Sequence, residues 1–338
     1  MSHKLSEIDV KDMNLFGRRW KVKLLIPNDS VQDDWLGDGT STEGWKEYTF
    51  SDSSDEDRSV RVTFKIQKYG WVTPNFSEIS VYNLDFNTFN MAFMKGMRVI
   101  VEAGYVNGWY GVIYDGPVFQ PIWERENGID YKLTFRCIDT DGLLDENWVN
   151  GVVGALTHQK NCIAEIGARA KKKFVPKISS AISEKKYIRG KTFCGDVKFY
   201  LRQMALDNGM TISAVDNKIY LSKVQVDFDQ VPVMEFSLKE GGLIGTPVQT
   251  QDGITFTCLL NPKIQVFKEA PMLVKLNLES LKNYKISWSQ PFSRLDESGV
   301  YKVLGVTHYG DTRGNNWYSE VICLNQILEG VPGTKIQR

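Results

Sequence analysis

The chain has 338 residues, enough for about two or three domains that each bury a core without disulfide staples. Forty-one basic residues balance forty-one acidic ones, which excludes a global field drawing the chain to nucleic acid or an anionic membrane. No run of about eighteen apolar residues occurs, and "MSHKLSEIDVKDMNLFGRR" lacks the apolar centre of a signal peptide, so no membrane insertion and folding in a cytosol are expected.

In chain order, "WKVKLLIP" reads as a short strand stopped by Pro27. Asn28 to Asp57 then carries ten acids against Lys46 alone, with Gly and Ser between them, and reads as a solvated, mobile insertion. Its Trp35, Trp45, Tyr48 and Phe50 are too many for a pure spacer, so part of it is expected to dock. From Val60 strict alternation begins: Val60, Val62, Phe64 and Ile66 face one way, Arg61, Thr63, Lys65 and Gln67 the other. The same period returns in "GIDYKLTFRCID". Between them lie "EISVYNL", a helix-like "NTFNMAFMKG" closed by Gly96, then "RVIVEAGY" and "WYGVIYDGPV". Such strands with one short helix describe a small antiparallel barrel or sandwich.

The middle differs. "NCIAEIGARAKKK" and "DVKFYLRQMALDNG" space their apolar residues as helices do, with Val197, Tyr200, Leu201, Met204 and Ala205 as one stripe and Gly209 placed as a C-cap glycine. "MTISAV" and "KIYLSK" around Asp216-Asn217 read as a hairpin. Arg169 to Lys191 holds nine basic residues against Glu184 alone, a charged face suited to phosphate or an acidic partner, or simply to water. The last region returns to strands in "GITFTCLL", "MLVKLNL", "GVYKVLGVTHY" and "NWYSEVICL", and "EGGLIGTP" before them reads as a linker.

Chemistry is sparse. Cys137, Cys162, Cys194, Cys258 and Cys323 show no C-x-x-C spacing, so neither a disulfide framework nor zinc is expected, and those in strands read as buried thiols. His158 and Cys162 lack the two further ligands of a tetrahedral site. "DTDGLLDE" from Asp139 has its glycine fourth and no acid at position twelve, so it reads as a turn and not as a calcium loop. Cys194, His308 and Asp311 are the one nucleophilic trio worth stating, and no local motif supports it. "VTHYGDTRGNNWYSEV" places Gly, Asp and Asn between two strand-like runs, which predicts a β-hairpin with His308 packing at the end of one strand. No catalytic, metal-binding or cofactor-binding residue is assigned, and no enzyme activity is expected.

Two blocks carry a likeness to a known family. "EISVYNLDFNTFNMAFMKGMRVIVEAGYVNGWYGVIYDGPV" resembles the first barrel of the central baseplate hub protein of contractile-tailed bacteriophages and related injection systems. "GGLIGTPVQTQDGITFTCLLNPKI", followed by "GVYKVLGVTHYGDTRGNNWYSEV", is similar to that family's closing barrel. With Ser59 to Asp145 and Thr192 to Leu328 the likeness covers about two-thirds of the chain; the acidic and basic segments fall outside it.

The resemblance implies a mainly β chain with an α+β middle: two small antiparallel tube-like β-barrel domains flanking an α/β module. The expected limits are 1–145 for the first barrel with its acidic insertion 28–57, 146–237 for the middle with the basic stretch 169–191, and 238–338 for the second barrel. It further implies a virion tail baseplate component made in the host bacterial cytoplasm. Three copies would form a homotrimer, a ring adapting the six-fold tail tube to the three-fold central spike, with DNA only as passing cargo. Its implied partners are the tail tube protein, the central spike protein and other baseplate proteins. Bulky amphipathic residues outnumber what such cores need, and Trp109, Tyr110, Trp317, Tyr318 and Arg313 are the candidate interface residues. Two rival classes fit the same residues: a carbohydrate-binding β module of a tail or cell-surface protein, and a tail-associated peptidoglycan hydrolase.

Overall fold

The structure, a computed structural model, describes residues 14–27, 45–52, 60–70, 75–84, 96–139, 147–179, 182, 184–216, 218–223, 233–237, 242–250, 253–264, 266, 272–276, 285–286 and 299–325. Within them the first β region holds β1 (Asn14–Pro27), β2 (Trp45–Ser51), β3 (Val62–Tyr69), β4 (Phe76–Tyr82), β5 (Arg98–Asn107), β6 (Tyr110–Glu126) and β7 (Asp130–Ile138). A middle module follows with β8 (Trp148–Val153), α1 (Gln159–Arg169), β9 (Lys177–Ile178), β10 (Lys191–Asp196), α2 (Val197–Asp207), β11 (Met210–Val215) and β12 (Lys218–Lys223). The last region holds β13 (Val233–Phe236), β14 (Leu243–Gln249), β15 (Gly253–Leu259), β16 (Leu273–Leu276), β17 (Lys285–Ile286), β18 (Val300–Asp311) and β19 (Trp317–Asn325).

The chain is mainly β around an α/β middle, as the alternation implied. Among the described residues neither β region closes into a tube on its own. Among the described residues fourteen strands share one open sheet, ordered β17-β14-β15-β19-β18-β3-β4-β7-β6-β5-β1-β2, with β16 on β18 and β13 on β16. The physical reason lies in β18. Its Val300–Lys302 edge pairs with β16 of its own region, whereas Gly305–Asp311 pairs with β3 of the first region, and the change of partner falls at a bulge between Val303 and Gly305. An edge that might close one barrel is used instead to continue into the other.

Three apolar clusters result. One gathers Trp20, Val22, Leu24, Phe64, Ile66, Ile79, Val99, Val101, Leu133 and Phe135, and takes in Leu260 and Trp317 from the last region. A second packs both helices on the middle strands through Ile163, Ile166, Phe193, Leu201 and Met204. A third holds Phe236, Phe256, Cys258, Val274, Tyr301, Val306 and Cys323. Burial drives the thiols of Cys137, Cys258 and Cys323 above their usual range, consistent with apolar packing roles.

Two sequence expectations need correcting. The acidic insertion is not solvated throughout: β2 pairs antiparallel with β1 from Lys21↔Ser51 to Pro27↔Trp45, and Tyr48 and Phe50 pack on the first core. Apolar alternation prevailed there over the acidic background. Nor is "EGGLIGTP" a linker, because Leu243 and Ile244 pair with β15; the register breaks before Val248, across Gly245 at φ 68° and Pro247, which hides the strand pattern. The helix-like "NTFNMAFMKG" lies outside the described residues up to Gly96.

The helical spacing of the middle is realised. Val197, Leu201, Met204 and Ala205 are buried, the Asp196 side chain accepts the Lys198 N–H at the N-cap, and Gly209 sits at φ 62° beyond the C-terminus. The β11–β12 hairpin carries Asp216 at φ 51° in its turn. That turn fastens the module to the first region: Asp216 pairs with the buried Lys68, its N–H donates to Asp139 Oδ2 at 2.8 Å, and Asn75 Nδ2 donates to the Ala214 carbonyl. A buried pair of this kind fixes geometry more than it adds stability.

The junction between β18 and β3 depends on two glycines. A Cβ on Gly310 would overlap the Phe64 ring, and one on Gly305 the Tyr69 ring, each being the residue directly opposite. Gly310→Ala is therefore expected to cost about 1–3 kcal/mol through overpacking, read by denaturant unfolding. Phe64→Leu in the same chain should recover part of that loss, and strict additivity of the two changes would contradict the contact.

Candidate functional site

The hairpin β18–β19 joins the two β regions, and its inward side chains do the joining. Trp317 is 4% exposed and belongs to the first core although its strand belongs to the last region. Its Nε1 donates to the Gly104 carbonyl at 3.2 Å, Phe64 meets it edge-on at 5.5 Å, and the Arg18 guanidinium lies 5.4 Å from the ring centroid. Its neighbour His308 is 1% exposed, with Nδ1 2.8 Å from Ser319 Oγ, which accepts the Asn261 N–H at 3.1 Å. Burial, with the Lys68 charge adding to it, pushes the imidazole down to about 3, so it stays neutral and acts as a packed, hydrogen-bonded strand residue.

The turn beyond is clamped by two arginines that local pattern did not single out. Arg18 Nη1 donates to the carbonyls of Asp311, at 2.7 Å, and of Gly314. Arg61 grips both Asp311 oxygens, with Nη2 at 2.8 Å from Oδ2. Partial burial opposes ionisation of Asp311, yet Arg61 and the N–H groups of Arg313 and Gly314 outweigh it and hold the carboxyl below its usual value. The turn thus ties the starts of β1 and β3 to the end of β18.

The five candidate interface residues separate. Trp109, 2% exposed, and Trp317 are taken up inside the chain. Tyr110 is half-buried, donating its hydroxyl to Glu102 Oε2 at 2.8 Å beneath the Arg19 guanidinium, and burial pushes its phenol up. Tyr318 stacks on Tyr309 with centroids 5.0 Å apart on the outward face, and Arg313 is exposed at the turn. The trio of Cys194, His308 and Asp311 does not assemble: Cys194 is exposed on β10, His308 is buried against Ser319, and Asp311 holds Arg61. His158 Nδ1 faces the Glu184 carbonyl at 3.1 Å while Cys162 is buried in the middle core. Among the described residues no three His, Cys, Asp or Glu side chains gather to hold a metal, and no helix is long and apolar enough to cross a membrane.

One surface does run through both regions. Register sends Thr255 and Thr257 of β15, Tyr318 and Glu320 of β19, Thr307 and Tyr309 of β18, and Thr63, Lys65 and Gln67 of β3 to the side of the sheet opposite Phe64, Ile66 and Trp317. Glu78 and Ser80 of β4 and Lys132, Thr134 and Arg136 of β7 continue it. Opposite charges pair across the strands, Arg136 with Glu78 at 3.2 Å and Lys132 with Glu124 at 2.9 Å, and the hydroxyls of Ser80 and Thr134 meet at 2.9 Å. The result is a polar, charge-balanced wall about 29 Å wide from β15 to β6, at the usual strand spacing.

The neutral, buried state of His308 carries a pH signature. Its folded pKa of about 3 lies below the ordinary 6.5, so the unfolded chain binds the extra proton and stability falls as pH drops from about 6.5 towards 3. His308→Gln should flatten that fall by up to about 1.4 kcal/mol per pH unit, one proton's worth, in unfolding curves taken between pH 4 and 7. Identical slopes in the two proteins would contradict the burial argument.

No protein-family model matches the sequence, and no curated protein does. Solved structures do match. A tail protein from Neisseria meningitidis MC58 superposes with a TM-score of 0.53 at 10% identity, covering 92% of this chain and 97% of that one. A chain of the lidless PdpA-VgrG complex gives 0.53 at 7% identity, over 95% of this chain and 67% of that one. A chain of the half-lidded Francisella PdpA-VgrG complex gives 0.51 at 8% identity, over 96% and 60%. The chain therefore shares its fold with the Neisseria meningitidis tail protein and with chains of PdpA-VgrG complexes.

Proposed function

We propose that the chain is a structural component of a contractile tail or a related injection particle, acting as the ring that joins a six-fold tube to a three-fold spike. The observation that carries this reading is the wall that crosses from β15 to β6 without a break at the β18–β3 junction. Its outward side is polar and its inward side is packed, as suits one face of a water-filled passage. Three such walls side by side span a circumference of roughly 85 Å, a ring about 27 Å across between opposite backbones before the side chains that line it are counted.

Fold likeness to a tail protein and to chains of a VgrG-containing complex supports the setting. The paired charges support the mechanism: a lumen without a strong single-sign field neither traps nor repels a passing polyanion. In this reading the protein does no chemistry. It holds the spike until contraction, then leaves an open path. In this reading Tyr110 and Arg313, which keep exposed surface, meet other subunits, while Tyr318 lies on the wall itself and Trp109 and Trp317 are buried within the chain.

Light scattering on the purified chain, alone and mixed with its spike, is expected to give about 115 kDa, three times the 38.5 kDa chain. Electron microscopy of the same sample should show a ring with an open centre. A strict monomer in both conditions at micromolar concentration would overturn the reading.

A further inference from the structure

We propose that the far tip of the middle module is a docking surface for a phospholipid bilayer that carries anionic headgroups. It stands apart from the tail reading and on different residues. Two loops make the tip: residues 154–158, which leave β8, and residues 184–190, which lead into β10. Register places them away from the module's entry, because Trp148 faces Asp196 at the near end of the ribbon and Val153 faces Lys191 at the other. The strand between those ends is about 17 Å long.

Backbone hydrogen bonds zip the loops together. The Leu156 N–H donates to the Tyr187 carbonyl at 2.7 Å, the Tyr187 N–H to the Thr157 carbonyl at 3.0 Å, and the Gln159 N–H to the Lys185 carbonyl at 3.1 Å. Thr157 Oγ1 donates back to the Gly154 carbonyl at 2.8 Å. So held, Leu156 takes φ 62°, left-handed backbone that a leucine rarely adopts, and its side chain is 67% exposed. Ile188, next to Tyr187 on the facing loop, is 85% exposed, the highest value among the described large hydrophobics. Single exposed aliphatics are ordinary, but a strained leucine fixed beside so bare an isoleucine marks a functional surface.

Positive charge surrounds the pair. Lys185, Lys186 and Arg189 are exposed on one loop and Lys160 on the first turn of α1, which carries no acid, while the Lys191 ammonium lies 4.9 Å from the Tyr187 ring centroid. Glu184 is the one acid in the two loops. This combination selects the occupant. A soluble acidic partner would engage the cations and leave Leu156 and Ile188 in water. An anionic bilayer serves both, because aliphatic tips enter the headgroup layer while ammonium and guanidinium groups meet phosphates outside it. Two weak signals of this kind hold a protein only together, and salt weakens the second by screening.

The test is flotation of the full chain with vesicles of about 30% phosphatidylglycerol in phosphatidylcholine, against pure phosphatidylcholine, at about 0.1 M salt. Binding to the anionic vesicles alone is expected. It should drop at least about tenfold in the combined Lys185→Gln, Lys186→Gln and Arg189→Gln variant. A drop of similar size is expected in the Leu156→Asn and Ile188→Ser pair, which changes no charge and places at 156 a residue that tolerates the backbone there. Absence of binding to anionic vesicles, or equal binding to neutral ones, would overturn the proposal. So would a fall in the charge variant without one in the aliphatic pair, which would make the tip a surface for soluble polyanions, with heparin retention lost alongside. Thermal unfolding that matches the parent chain separates lost docking from misfolding.

Discussion

Everything distinctive in this molecule depends on the close approach of β18 to β3. Two strands carrying full side chains at those positions could not lie there, since Phe64 and Tyr69 occupy the space that Cβ atoms on Gly310 and Gly305 would need. Glycine in a strand usually weakens it. Here it lets an aromatic ring of one region lie close against the backbone of the other. Once β18 is held, Trp317 is carried into the first core, and Arg18 and Arg61 close over the turn that follows. Two regions that might have been independent barrels become one wall.

That constraint also explains what could be read from sequence and what could not. Alternation in "VRVTFKIQ" assigned the inward Val62, Phe64 and Ile66 and the outward Arg61, Thr63, Lys65 and Gln67, because period two is local information. The hairpin around Gly310 to Asn316 was legible for the same reason. The partner of β18's free edge was not, since nothing within "GVYKVLGVTHYG" says which distant strand its glycines accept. Burial of Trp317 is likewise set by Gly104, which lies 213 residues away in the chain, and not by its neighbours. β2 was masked by acids at Glu47, Asp52 and beyond, although Tyr48 and Phe50 carried the signal that it packs.

The polar seam at the opposite end does a different job. Lys68, Asp216, Asp139 and Asn75 are polar groups taken largely out of water, and they are mutually satisfied by ion pair and backbone hydrogen bonds. Such networks specify an orientation, because a shifted module would leave a buried charge without its partner. The middle module is thus held in one orientation at the end of the first region, while the hairpin turn fastens the other end. His308 lies in the same sheet between them and stays neutral in reach of the Lys68 charge.

The central claim is that the two β regions form a single wall rather than two bodies in contact. Native-state hydrogen exchange at Gly305–Asp311 and Val62–Tyr69 tests it most directly, because amides bonded across a real continuation of the sheet open only with the whole structure. The account predicts protection there equal to that of the β5–β6 and β15–β19 pairs. Exchange at the β18–β3 seam well ahead of both cores would contradict it.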